Sequence, residues 1–242
     1  QRPRAGTRAG RGALTEDRMT HATATLDQMR PPVPAEPGLP IYNNKLGMWV
    51  FLASEVMFFT GLIGAYVILR FGAPGEWARP NVVLNVPLTG LNTFILICSS
   101  VSMVKAFAAI AAGDRKGLSR WLLATILLGA TFVSVQGVEY WKLVHEGFTP
   151  AGFTDGSRVA ELVAAGKLSG ATGGLYGSTF FTMTGFHGFH VTCGVICLIY
   201  VWLKSLRGGY TQQDYRGVEV IGLYWHFVDL VWIILFTIVY LI

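Results

Sequence analysis

The sequence predicts an all-α, polytopic membrane protein built as a bundle of five transmembrane helices. Three observations carry this. Only 14% of the 242 residues are charged and 52% are hydrophobic, with a mean hydropathy of +0.47; a soluble domain carries about a quarter charged residues. Five apolar runs reach the roughly 20 residues that a spanning helix needs. None of them alternates with the period of two expected of a membrane barrel strand, and in lipid the backbone must satisfy its own hydrogen bonds.

The five runs are Leu46–Leu69, Leu88–Ala112, Trp121–Tyr140, Ser178–Leu203 and Val218–Ile242. The tail up to Lys45 is rich in Arg, Pro, Gly, Ala and Thr and nearly free of aromatics, which predicts a disordered cytoplasmic segment. Its first 18 residues read as lying upstream of a start at Met19. No apolar stretch of signal-peptide type follows its arginines before Leu46. Pro74, Pro80 and Pro87 mark the short first connection, and GDRKG at 113–117 marks a tight charged turn. His145–Gly177 is the only long loop, in which SRVAELVAAGKL can form a short helix. A loop of that length is functional or an insertion.

The net charge of +5 is a topology signal rather than a nucleic-acid one. Fourteen of the 19 Lys and Arg residues flank alternate ends of the spans and five flank the others. Positive residues stay on the cytoplasmic side, so the N-terminus is expected on the cytoplasmic side of the membrane and the C-terminus outside. Cys98, Cys193 and Cys197 all lie in apolar helices, where packing explains them better than a disulfide or a metal pair.

Ionisable residues inside a membrane are costly and are functional candidates. Glu55, in SEVMFFTG, stands nine residues past Leu46, well inside the hydrocarbon at about 1.5 Å per residue. Phe58, Phe59, Leu62 and Tyr66 share its face, so it should be protonated or bonded to a buried donor. A purely structural carboxyl is as good a reading as a proton-linked one. His187 and His190 are neighbours on one helix face. Glu219, His226 and Asp229 fall within an arc of about 80° on the last helix, and Glu139 lies near the outer interface. These side chains suit either a metal site or a network of interhelical hydrogen bonds and headgroup contacts. The network is preferred, with no metal bound, because His-x-x-His alone is weak and only three of the five histidines lie within the helices. Gly61, Gly64, Gly185 and Gly188 allow close helix approach. Trp121, Tyr140, Trp141 and Tyr240 fit an interfacial aromatic belt. No phosphate loop, dinucleotide fingerprint, haem-attachment motif or nucleophile elbow is present.

SEVMFFTG, LNTFILICSS, GDRK, QGVEYW, YGSTFFTMTGFHGFHV and YWHFVDLVWIILFTIVYLI stand in the order and near the spacing of subunit III of the haem–copper oxidases. From about Leu46 onward the chain resembles the cytochrome c oxidase subunit III family, in its five-helix bacterial form; the first two helices of the longer form have no counterpart. The resemblance implies a non-redox membrane subunit of an aerobic respiratory oxidase that sustains turnover, supports proton uptake by subunit I and binds phospholipid. It implies subunits I and II as partners, with haem and copper held there and none on this chain, and cytochrome c only as an indirect partner. It maps the family's intramembrane carboxyl onto Glu55, its histidines onto His187, His190 and His226, an acid onto Asp229, and a headgroup cation pair onto Lys204 and Arg207, beside which His190 is a further headgroup candidate. A quinol oxidase, a nitric-oxide-reductase-linked complex and a stand-alone metal-dependent membrane enzyme remain the alternatives.

Overall fold

The computed structural model describes residues 42–72, 77, 84–154, 161, 164 and 174–241. The expectations for most of the N-terminal tail, for most of the SRVAELVAAGKL stretch and for Ile242 lie outside the described residues. The compact unit that begins at Asn43 holds five long helices: α1 (Asn43–Gly72), α2 (Val86–Ala111), α3 (Arg115–His145), α4 (Gly174–Leu206) and α5 (Arg216–Phe236). All five are long and apolar enough to cross a membrane.

Each helix runs beyond its apolar core until local chemistry stops it. Asn85 Oδ1 accepts from Leu88 N at 3.2 Å and caps α2. Asp114 Oδ1 does the same for Gly117 N at 2.8 Å and caps α3. Such caps satisfy amides that have no partner within the helix. Gly113, Gly147 and Gly208 take left-handed φ values of 83°, 87° and 73° just past the ends of α2, α3 and α4, a conformation glycine adopts without steric cost. After Phe236 the last helix widens into a π-helical turn over Thr237–Leu241.

One element has no counterpart in the sequence reading. Phe148–Thr149 and Gly152–Phe153 pair as a minimal antiparallel hairpin after α3. Two-residue strands are too short to show alternation. The hairpin nevertheless packs against α4, because Phe148 is fully buried and its ring lies 5.4 Å from that of Tyr176.

The core is centred on α5. Half of its span is buried, against 11% of the α1 span. Trp225 and Trp232 are each about 1% exposed, and each donates its indole N–H to α2: Trp225 to Ser99 Oγ at 3.0 Å and Trp232 to Thr93 Oγ1 at 2.9 Å. Small residues on α3 and α4 admit the Trp225 ring. A Cβ at Gly129 would stand 2.6 Å from its Cη2, and one at Gly194 would stand 2.9 Å from its Cζ3.

These glycines are not the ones the sequence singles out. A Cβ on Gly61 or Gly64 would meet nothing within 4 Å, and one on Gly185 only Tyr140 Oη at 3.9 Å. Among the four expected, Gly188 alone makes a tight contact, against Gln136 at 3.1 Å. Small residues permit close approach only where a neighbour comes, and among the described residues none comes within 4 Å of Gly61 or Gly64 on α1. Cys98 and Cys193 are half-buried and Cys197 is exposed; all three are free thiols.

Candidate functional site

The intramembrane polar residues do not form one connected network. They resolve into separate stitches, each joining one pair of helices. Glu55 on α1 meets His190 on α4, with Oε2 and Nε2 3.0 Å apart and both side chains less than a fifth exposed. The His190 ring packs at 5.3 Å from Phe59 and 5.8 Å from Phe189. Its Nδ1 lies 2.7 Å from Phe186 O. A carbonyl only accepts, so Nδ1 carries a hydrogen. A single proton therefore lies between Nε2 and Glu55, as a neutral acid on a neutral imidazole or as an ion pair. The buried partner of Glu55 is this histidine, 135 residues further along the chain.

His187 points elsewhere. It is fully buried between α4 and α5, with Nε2 3.1 Å from Val228 O. Its ring lies 4.7 Å from Trp232 and 6.0 Å from Phe132. Facing a carbonyl, Nε2 holds the hydrogen, and Nδ1 has no hydrogen-bond partner among the described residues. Spacing three apart placed His187 and His190 on one face, but α4 packs against α1, α3 and α5, and the 60° between the residues sends them to different neighbours.

His226 and Asp229 do come together. Ser100 Oγ on α2 lies 2.6 Å from His226 Nδ1 and also faces the Asp229 carboxyl. Glu219, assigned to the same arc, is instead ion-paired with Lys45 at the start of α1. Glu139 is buried on α3 and accepts from Thr89 Oγ1 of α2 at 2.9 Å. Among the described residues, no three His, Cys, Asp or Glu side chains converge. At the rim, Lys204 Nζ sits 4.8 Å above the Tyr210 ring, and Arg207 is exposed. Burial pushes the Tyr210 phenol above its ordinary value.

Sequence reasoning missed the uncharged half of these stitches. Asn92 Nδ2 donates to Phe132 O at 3.1 Å, joining α2 to α3, and Gln136 Nε2 donates to Thr184 O at 3.0 Å, joining α3 to α4. Ser102 and Thr125 hydroxyls meet at 2.7 Å. A buried amide within an apolar run was the available signal, since each needs a partner in lipid.

Five long apolar helices, tied to one another by polar side chains, define a polytopic helical membrane protein. The comparisons identify which kind. The family model for cytochrome c oxidase subunit III matches residues 41–157 and 153–242, and the chain belongs to that family. A probable cytochrome c oxidase subunit 3 of Nocardia farcinica is 36% identical over 196 residues, covering 81% of this chain and 86% of the relative. The subunits 3 of Corynebacterium diphtheriae and Synechocystis are each 37% identical, covering 82% of this chain and 87% and 75% of their own lengths. The chain is thus a subunit of an oxidoreductase complex, within which it associates with other oxidase subunits.

Proposed function

We propose that this chain is a non-redox subunit that keeps the catalytic part of the oxidase working over many turnovers, supporting proton uptake by subunit I and holding phospholipid at its surface. The observation that carries this reading is the assignment of the histidines. His187, His190 and His226 are each committed to a protein partner on another helix, which leaves them as structural or proton-holding groups. Subunits I and II are the partners, haem and copper belong to them, and Lys204 and Arg207 are headgroup contacts at the rim, while His190 is held by Glu55 within the span. The test compares the oxidase purified with and without this chain. The complex lacking it should begin oxygen consumption at a rate close to that of the full complex and then inactivate several-fold sooner. The isolated chain should show no haem absorbance. Stoichiometric iron or copper in the isolated chain, or equal lifetimes for the two complexes, would refute the reading.

The membrane is the bacterial inner membrane, with the N-terminus cytoplasmic. The excess of Lys and Arg at alternate ends of the spans supports this. A cysteine-reactive, membrane-impermeant label applied to intact cells should reach a cysteine placed at Ile242 and miss one placed at Pro40; labelling in the opposite pattern would reverse the orientation.

A further inference from the structure

The ends of α3 and α4 on the N-terminal side of the bundle meet around an open basin of about 660 Å³. Arg115, Lys116 and Arg120 line it from the first turns of α3, and Ser205 and Gly208 border it from the end of α4. No carboxylate is among its lining residues. The neighbouring acid, Asp114, is held on Gly117 N as the helix cap. Ser119 Oγ, also in the lining, accepts from Trp202 Nε1 at 3.1 Å, which ties α4 to α3 at the floor and leaves the hydroxyl proton to donate.

Three like charges around one concavity repel one another, and the field they focus there attracts an anion. The surface on the membrane side of the basin is apolar. Leu123 and Leu127 follow Arg120 at three- and seven-residue spacing on α3, and Leu203 and Ile199 precede Leu206 in the same way on α4; all are exposed. At that spacing each set lies on one helix face. A polar, cationic cup thus opens onto apolar ridges along the bundle, which matches a molecule with an anionic head and acyl tails. Basic pockets between helix ends are a recognised mode of acidic-headgroup binding.

We propose that this basin binds the anionic phosphate of an acidic phospholipid in the adjoining leaflet, through Arg115, Lys116 and Arg120. The site uses residues other than Lys204 and Arg207. It rests on the phospholipid-holding part of the functional reading and requires no effect on oxygen reduction: failure of the basin leaves Lys204 and Arg207 as headgroup contacts, and equal lifetimes with and without the chain leave the basin standing.

The experiment uses the full chain, delipidated in a neutral detergent and titrated with phosphatidylglycerol, with zwitterionic phosphatidylcholine, or with inorganic phosphate. The readout is the thermal unfolding midpoint. Phosphatidylglycerol should raise it saturably and phosphatidylcholine should not. Each cation near a headgroup contributes roughly a fivefold gain in affinity. The half-saturating phosphatidylglycerol concentration should therefore rise about fivefold in Lys116→Gln and about a hundredfold in the triple Arg115→Gln, Lys116→Gln, Arg120→Gln variant. Lys142→Gln, at the opposite end of α3, should titrate like the unmodified chain. If the triple variant fails to fold, the three single variants carry the same comparison. An unchanged half-saturation in the variants, or equal stabilisation by phosphatidylcholine, overturns the site. Equal stabilisation by inorganic phosphate overturns the lipid as its source.

Discussion

Replacing Trp225 with alanine is expected to cost about 2–4 kcal/mol of stability, the largest effect of any single substitution in the bundle. In soluble proteins a buried Trp→Ala change costs about 3–5 kcal/mol, part of it the transfer of apolar surface from water. Inside a bilayer that part is reduced, because separated helices still lie in hydrocarbon. What remains is the cavity and its lost dispersion contacts, and here they are large. Trp225 fills the space left by Gly129 on α3 and Gly194 on α4, and it donates to Ser99 on α2. Three helices therefore lose a common packing partner at once. Trp225→Phe keeps most of the ring volume and gives up the donor, so it should cost about 1–2 kcal/mol, the scale of one buried hydrogen bond plus a smaller void. The check is reversible unfolding of the purified chain in mixed micelles, read by circular dichroism. Midpoints for Trp225→Ala and the unmodified chain that coincide would show that α5 is not held this way.

Glu55→Gln is expected to leave the first turnovers of the oxidase nearly unchanged and to shorten its active lifetime several-fold. The carboxamide N–H can donate to His190 Nε2 as a protonated acid would, so the link between α1 and α4 survives. The proton shared between Glu55 and His190 is lost, since an amide does not titrate. A purely structural Glu55 tolerates that change and a proton-linked one does not. Glu55→Leu removes the hydrogen bond as well and leaves His190 Nε2 without a partner, at a cost of about 1–3 kcal/mol. The measurement is oxygen consumption and proton ejection by reconstituted vesicles over many turnovers, with the unfolding midpoint recorded beside them. Should Glu55→Gln match the unmodified complex in both pumping and lifetime, Glu55 is a helix link and no more.

The number and type of the spans were legible in the sequence because they are local properties. Hydropathy over about 20 residues and the need to satisfy backbone groups in lipid leave little choice but a helix. Which residues are out of place in lipid was equally legible: Glu55, Glu139, His187, His190, Glu219, His226 and Asp229 stand out against their apolar surroundings. The short hairpin after α3 was not legible, since its pairing rests on four residues.

What each polar residue bonds to was decided only in three dimensions. Helical spacing grouped Glu219 with His226 and Asp229, yet Glu219 faces Lys45 of α1 while the other two face Ser100 of α2. It likewise grouped His187 with His190, which turn to α5 and α1 respectively. Spacing specifies a direction around one helix axis. The partner depends on which neighbour lies in that direction, and that follows from the rotation and crossing of whole helices, set by fits such as the Trp225 ring between Gly129 and Gly194. Residues 65 and 96 positions apart make that fit. No window along the chain contains it, so the sequence by itself determined five helices and their awkward residues, and packing alone chose the pairs.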